Sequence, residues 1–360
     1  MQNQGVLILV LWIAALTPCR AQITPPDSAY APLIAAAKTL VQNQPLITAS
    51  ANTATLSEKR TALFDSAVSE ALSATRRWLD KPLDLPAPLA LDGSGISMFG
   101  GARQVARIFN VAIYVQFADG KTREAIDTTR DGLRLAYALE RHSLLGWMTG
   151  VAIESMILNT ITERLNQLSE VDCKRLFKLA EDWAKTANLL EVALERERVA
   201  GLAQLKSQPG QTAEQWKVME AQVTKAYQQV VQQQRQPYWE RGELTLPEGG
   251  DTSKEAGEAL TGLLRPIFQQ VSDRPVRRLA QARLLGCHAA IRQFRWENRR
   301  LPTTLGELKI GDMAIDPYTG MEFTYKVKKE TFALESVGGY ARDDKGTLDK
   351  EKRIPVTLTP

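Results

Sequence analysis

The sequence predicts an α+β protein: a large, mostly α-helical domain, then a small domain of one helix and an antiparallel sheet. Two changes along the 360 residues carry that prediction. From Asp27 to about Asp273, apolar residues recur at spacings of three and four, the helical period. Beyond Pro302 the chain turns to short runs such as Phe323-Thr324-Tyr325 and Phe332-Ala333-Leu334, punctuated by Asp, Pro and Gly, the pattern of strands and turns. The expected organisation is a signal segment over 1–21, a helical domain over 22–272 and an α+β domain over 273–360.

Taken in order, Gly5 to Leu16 is a short apolar run followed by Thr17-Pro18-Cys19-Arg20-Ala21, the layout of a secretory signal. Roughly a dozen apolar residues fall short of the ~20 that span a bilayer as a helix. Cleavage is expected after Ala21, giving a periplasmic or extracellular protein that does not span the membrane. Leu16-Thr17-Pro18-Cys19 has the leucine and cysteine of a lipoprotein signal, but the proline argues against that processing. Ser57 is expected to cap a helix carrying Leu63, Phe64, Ala67, Ala71 and Trp78. Pro82 to Ser97 reads as a connection. Residues 111–139 read as a helical hairpin. Its Gly120, Ala125 and Gly132 fall at the small-residue spacings of a tetratricopeptide unit, without a second copy at the roughly 34-residue period of an array.

His142 to Leu158 is the most apolar helical stretch after the signal, apolar on all sides; such a helix is buried or in a membrane. Thr149, Glu154 and its modest length favour a central buried helix. Ser169-Glu170-Val171-Asp172 is a capping-box variant opening a helix with Leu176, Leu179, Ala180 and Trp183. Trp216, Met219, Val223, Tyr227 and Val230 form the stripe of another helix, Gln-rich on its other face and stopped by Pro237. Ser272 or Asp273 is expected to cap the last helix, with Pro275 in its first turn and Val276, Ala280, Leu284, Cys287, Ile291 and Phe294 on one arc. Glu322–Lys328 and Glu330–Val337 read as a hairpin, and Ile354–Leu358 as a final strand.

The net charge of +4 falls by one when Arg20 leaves with the signal, too mild to imply nucleic acid. Cys173 and Cys287 are expected to be buried thiols on separate helices, although an oxidising envelope would permit a disulfide between them. The two histidines, His142 and His288, make no HExxH, and there is no CxxC, phosphate loop or nucleophile elbow. Glu154, an acid inside the most apolar helix, is the candidate for a perturbed carboxylate, since burial raises its pKa unless a cation pairs with it. Arg274, Arg278, Arg292, Arg295 and Arg299 fall on one stripe roughly opposite the apolar arc. They are either a solvated face or a surface for an anionic partner.

Pro302, Leu308, Asp316-Pro317, Tyr325, Phe332, Leu334, Ser336, Gly338 and Asp343-Asp344 together make residues 276–360 resemble the globular domain of type II secretion pseudopilins. The whole chain resembles uncharacterised secreted helical proteins of planctomycete-like bacteria. The resemblance implies a fold and a compartment but no activity. It also implies a calcium site in the loop after Ser336, with Asp343, Asp344 and Asp349 as ligands, although Tyr340 stands where the family has its first Asp. No other cofactor is expected. A pilin carries a long apolar assembly helix directly ahead of this domain, and the segment 22–272 stands there instead, so assembly as a pilin is not expected. The function this predicts is a non-enzymatic binding or scaffold protein of the bacterial cell envelope, contacting an envelope protein or polymer. The alternative is an envelope hydrolase using paired carboxylates.

Overall fold

The computed structural model describes residues 35–36, 39–40, 42–80, 93–186, 190–206, 212–241, 268, 272–342 and 348–358. The architecture is α+β, dominated by helices, with one small antiparallel sheet at the C-terminal end.

Early among the described residues lie the short helices α1 (Gln44–Ala49), α2 (Leu56–Phe64) and α3 (Ser66–Leu79). The single helix expected from Ser57 is thus two. Thr55 is the cap, in a reciprocal box with Glu58. Asp65 then takes an extended conformation, and its carboxylate accepts from the amides of Ala67 and Val68, restarting the helix. Phe64, counted on the apolar stripe, is 86% exposed at this break.

The long helices follow: α4 (Gly93–Ala118), α5 (Thr122–Glu140), α6 (Leu144–Thr162) and α7 (Glu170–Ala184). Gly93 to Ser97, expected in a connection, is the first turn of α4. The predicted hairpin is α4–α5, turning at Gly120 with φ 73°. Gly132 lies against Ile157 of α6, where a Cβ would meet its side chain at 2.9 Å. Helix α6 is long and apolar enough to cross a membrane, and 56% of that stretch is buried inside the protein. The capping box at Ser169 and Asp172 opens α7 as expected. Thr122 also donates to the Asp172 carboxylate at 2.6 Å, tying the start of α5 to it.

Helices α8 (Leu190–Lys206) and α9 (Ala213–Arg235) pack together with Leu144 and Trp147 of α6 around a second core cluster. Helix α10 (Arg274–Asn298) begins at Asp273, which makes no side-chain cap, with Pro275 in its first turn. It packs on both α7 and the sheet. The sheet order is β1 (Thr324–Lys328), β2 (Thr331–Arg342), β3 (Leu348–Thr357), all antiparallel. β2 and β3 are longer than predicted, because β2 continues through a bulge after Ser336. Gly338 sits in that bulge at φ 72°, with the Ile354 carbonyl so close that a Cβ would overlap it. Both facts require glycine.

The turn before the sheet is latched by Asp316. Its buried carboxylate accepts from Tyr318 N at 3.0 Å, Ser336 Oγ at 2.9 Å and Val337 N at 2.9 Å. The main apolar core includes Leu40 and Leu46 near one end of the chain and Val356 and Leu358 near the other, so α10 and the sheet share it with the helices.

Candidate functional site

Among the described residues, two groupings of charged side chains are enclosed or line a concavity. The first is internal. Glu140 ends α5, Glu154 lies mid-way along α6 and Arg278 lies in the first half of α10. Their side chains are at most 3% exposed. The Arg278 guanidinium donates to Glu140 Oε2 at 2.5 Å, and lies 2.6 Å from Glu154 Oε1. It also donates to the Thr186 carbonyl and hydroxyl at 3.2 and 3.1 Å. Trp183 Nε1 donates to Glu154 Oε1 at 2.8 Å.

Burial pushes both carboxyls up, and Glu140 well up because Glu154 adds its charge beside it. Arg278 and Trp183 oppose the shift at Glu154. A single proton on the carboxyl pair would leave the cluster with one negative and one positive charge. That is the neutral combination a low-dielectric interior tolerates. Gly150 makes the arrangement fit: a Cβ there would lie 2.4 Å from Glu140 Cγ and 2.7 Å from the Ala136 carbonyl.

The second place is a cavity of about 530 Å³ where the 3₁₀ turn at Leu165–Gln167, the C-terminal half of α10 and the start of β2 meet. Arg292, Arg295 and Arg299 line it, with apolar walls from Leu165, Trp296 and Phe332. Arg292 donates to Asn166 Oδ1 at 3.0 Å and to the Asn166 and Leu168 carbonyls at 3.1 and 3.3 Å, all neutral acceptors. Its guanidinium also stands 5.1 Å from the Trp296 ring. Arg295 donates to the Glu330 carbonyl at 3.0 Å and reaches its carboxylate at 3.4 Å, an exposed and therefore weak pair. Arg299 ends α10 in the left-handed region, at φ 57°.

His288 also lines this cavity, 5.0 Å from the Phe332 ring. It is 3% exposed, and its Nε2 has no partner among the described residues. A buried polar atom left unpaired costs about 1–3 kcal/mol, and Arg292 Nε, from another residue of the same lining, is likewise buried without a partner among the described residues. Burial, with Arg292 adding to it, lowers the imidazole to about 4, and the ring is neutral at physiological pH.

No family model, curated protein or solved structure matches the chain.

The predicted arginine stripe divides. Arg292, Arg295 and Arg299 meet in the cavity. Arg278 is not on the surface: it is the cation of the internal cluster. Arg274 is partly buried near the start of α10, away from the cavity, and burial lowers its pKa. Glu154 has the raised pKa expected, and the cation paired with it is Arg278. Asp343 and Asp344 lie outside the described residues, and Asp349 lies in β3 opposite Ala341. Among the described residues, no group of three His, Cys, Asp or Glu stands ready for a metal. Cys173 and Cys287 are separate buried thiols, the latter donating to the Met313 carbonyl at 3.0 Å; burial raises Cys173 to about 11.

Sequence reasoning missed Glu140 and His288. Glu140 had one local signal, an acid closing the apolar stripe of α5. His288 had none, being one polar residue inside Leu284–Ile291.

Proposed function

We propose that this chain is an exported, non-enzymatic binding module of the bacterial cell envelope, and that the arginine-lined cavity is its contact surface for an acidic envelope polymer. The observation that carries the reading is the convergence of Arg292, Arg295 and Arg299 on one concavity. Only Glu330 opposes them among its lining residues. Clefts of roughly 300–1,000 Å³ are the usual size for organic ligands, and clustered cations raise the local concentration of anions. The likeness of residues 276–360 to secretion pseudopilins agrees with an envelope setting.

The hydrolase reading has one observation in its favour, the facing carboxyls of Glu140 and Glu154. Glycosidase carboxylates flank a bond from an open cleft, whereas this pair is enclosed and clamped on Arg278. The enclosure supports a structural role.

The test is retention of the full chain on alginate, a polyuronate, beside dextran, a neutral glucan. Binding to alginate alone is expected, weakening as salt rises and lost in the double variant Arg295→Gln, Arg299→Asn. Equal retention of the wild type and the double variant on alginate would remove the reading.

A further inference from the structure

The three arginines of the cavity are not equally available. Arg292 is held by neutral acceptors, the Asn166 side chain and the Asn166 and Leu168 carbonyls. The exposed Arg299 side chain makes no hydrogen bond or ion pair among the described residues. Arg295 is the one of the three paired with an acid. Its guanidinium donates to the Glu330 carbonyl at 3.0 Å and reaches the Glu330 carboxylate at 3.4 Å. These two oxygens differ in kind. The carbonyl belongs to the backbone of the β1–β2 turn. The carboxylate is on a side chain that is 89% exposed, and it has no other partner among the described residues. The neighbouring pair shows what a firmly held acid has instead. Glu307 meets Arg300 at 2.6 Å and also accepts from the Thr303 amide and hydroxyl.

Local structure puts Glu330 there. Lys328 pairs with Thr331 across the hairpin, so Lys329 and Glu330 are its two-residue turn. Lys329 has φ 56°, a left-handed backbone that glycine or asparagine adopts more readily. Thr331 Oγ1 donates to the Lys328 carbonyl at 2.9 Å and closes the turn. A turn this tight fixes the Glu330 backbone against the end of α10 and leaves its carboxylate free to rotate. We propose that Glu330 is a tethered competitor: its carboxylate stands where an acidic ligand's carboxylate meets Arg295, and ligand binding displaces it. The proposal rests on the binding-module reading and adds a residue that sets its affinity. The Glu330 carbonyl stays on Arg295 and holds the guanidinium in place, so one carboxylate replaces another by a side-chain rotation alone. An exposed pair of this kind shifts an equilibrium by up to about fivefold. The competitor therefore tempers binding without closing the site.

The test is calorimetric titration of the full chain with alginate oligomers at pH 7 and low salt. Wild type is compared with Glu330→Gln and Glu297→Gln. Glu297 lies two residues from Arg295 on the same helix but does not line the cavity. Its replacement removes the same charge without touching the contact. Glu330→Gln should bind alginate about two- to fivefold more tightly than wild type, and Glu297→Gln should stay closer to wild type than to Glu330→Gln. Both side chains are solvated, so the melting temperature should not move in either variant.

Equal or weaker binding by Glu330→Gln would overturn the competitor role, whether or not the wild type binds. An equal gain in Glu297→Gln would overturn it too, by reducing the effect to net charge. Alginate binding by the wild type that the arginine double variant abolishes would still stand for the broader reading when Glu330→Gln changes nothing. If neither the wild type nor Glu330→Gln binds alginate, both readings fall.

Discussion

Replacing Arg278 by methionine tests the internal charge cluster most directly. Methionine matches the aliphatic stem of arginine, so the packing of the stem is kept while the guanidinium, its charge and its donors go. Four contacts are lost: Glu140 at 2.5 Å, Glu154 at 2.6 Å, and the Thr186 carbonyl and hydroxyl at 3.2 and 3.1 Å. Glu154 then keeps Trp183 as its donor, inside a site that admits almost no solvent. Removing one partner of a buried pair costs about 3–5 kcal/mol, a large part of the 5–15 kcal/mol that typically holds a domain together. Urea unfolding at pH 7 should show a loss of that size. The loss should shrink towards pH 4, because protonation relieves the stranded Glu154.

Glu140→Gln is the internal control. Glutamine resembles the protonated acid that burial favours at Glu140, so a change within about 1 kcal/mol is expected at pH 5. Glu140 has a folded pKa above its ordinary 4.5. The stability it contributes is therefore full below the unfolded value and lost as pH rises through the folded one. Glu140→Gln should accordingly gain on the wild type as pH rises. An Arg278→Met protein within about 1 kcal/mol of wild type at pH 7 would refute the reasoning, as would a Glu140→Gln protein that loses ground with rising pH.

Three further outcomes are expected. Burial holds His142 and His288 at about 4 against an ordinary 6.5. The unfolded chain therefore takes up protons first, and stability should fall between pH 6.5 and 4 by up to about 3 kcal/mol per histidine; His288→Leu should flatten that fall in denaturant titrations. Gly150→Ala drives a methyl into Glu140 and the Ala136 carbonyl and should cost about 1–3 kcal/mol by overpacking, read as a lowered urea midpoint. If Asp343, Asp344 and Asp349 bind calcium, the ion at a hundredfold excess over its Kd should add about 2.7 kcal/mol. Melting with calcium and with chelator measures this, and Asp344→Ala should abolish any difference.

The α+β class, the capping box at Ser169, the buried stripe of α9 and the apolar arc of α10 were legible in the sequence, because each depends on residues within one or two turns of itself. Periodicity states which residues share a face. It also carried Arg292, Arg295 and Arg299 to one side of α10, where they meet. It does not state how many faces are covered. Arg278, opposite the apolar arc, is enclosed by Glu140 of α5, Glu154 of α6, and Trp183 and Thr186 at the end of α7, rather than wet. Its partner Glu140 is 138 residues away, beyond any local pattern. Phe64 and Asp65 went the other way: one side chain-to-backbone cap broke a stripe that continued on paper. His288 is buried against Phe332 of β2, a contact that no local pattern announces. Local chemistry set the elements, and burial by distant parts of the chain decided which charges became neutral, paired or available to a ligand.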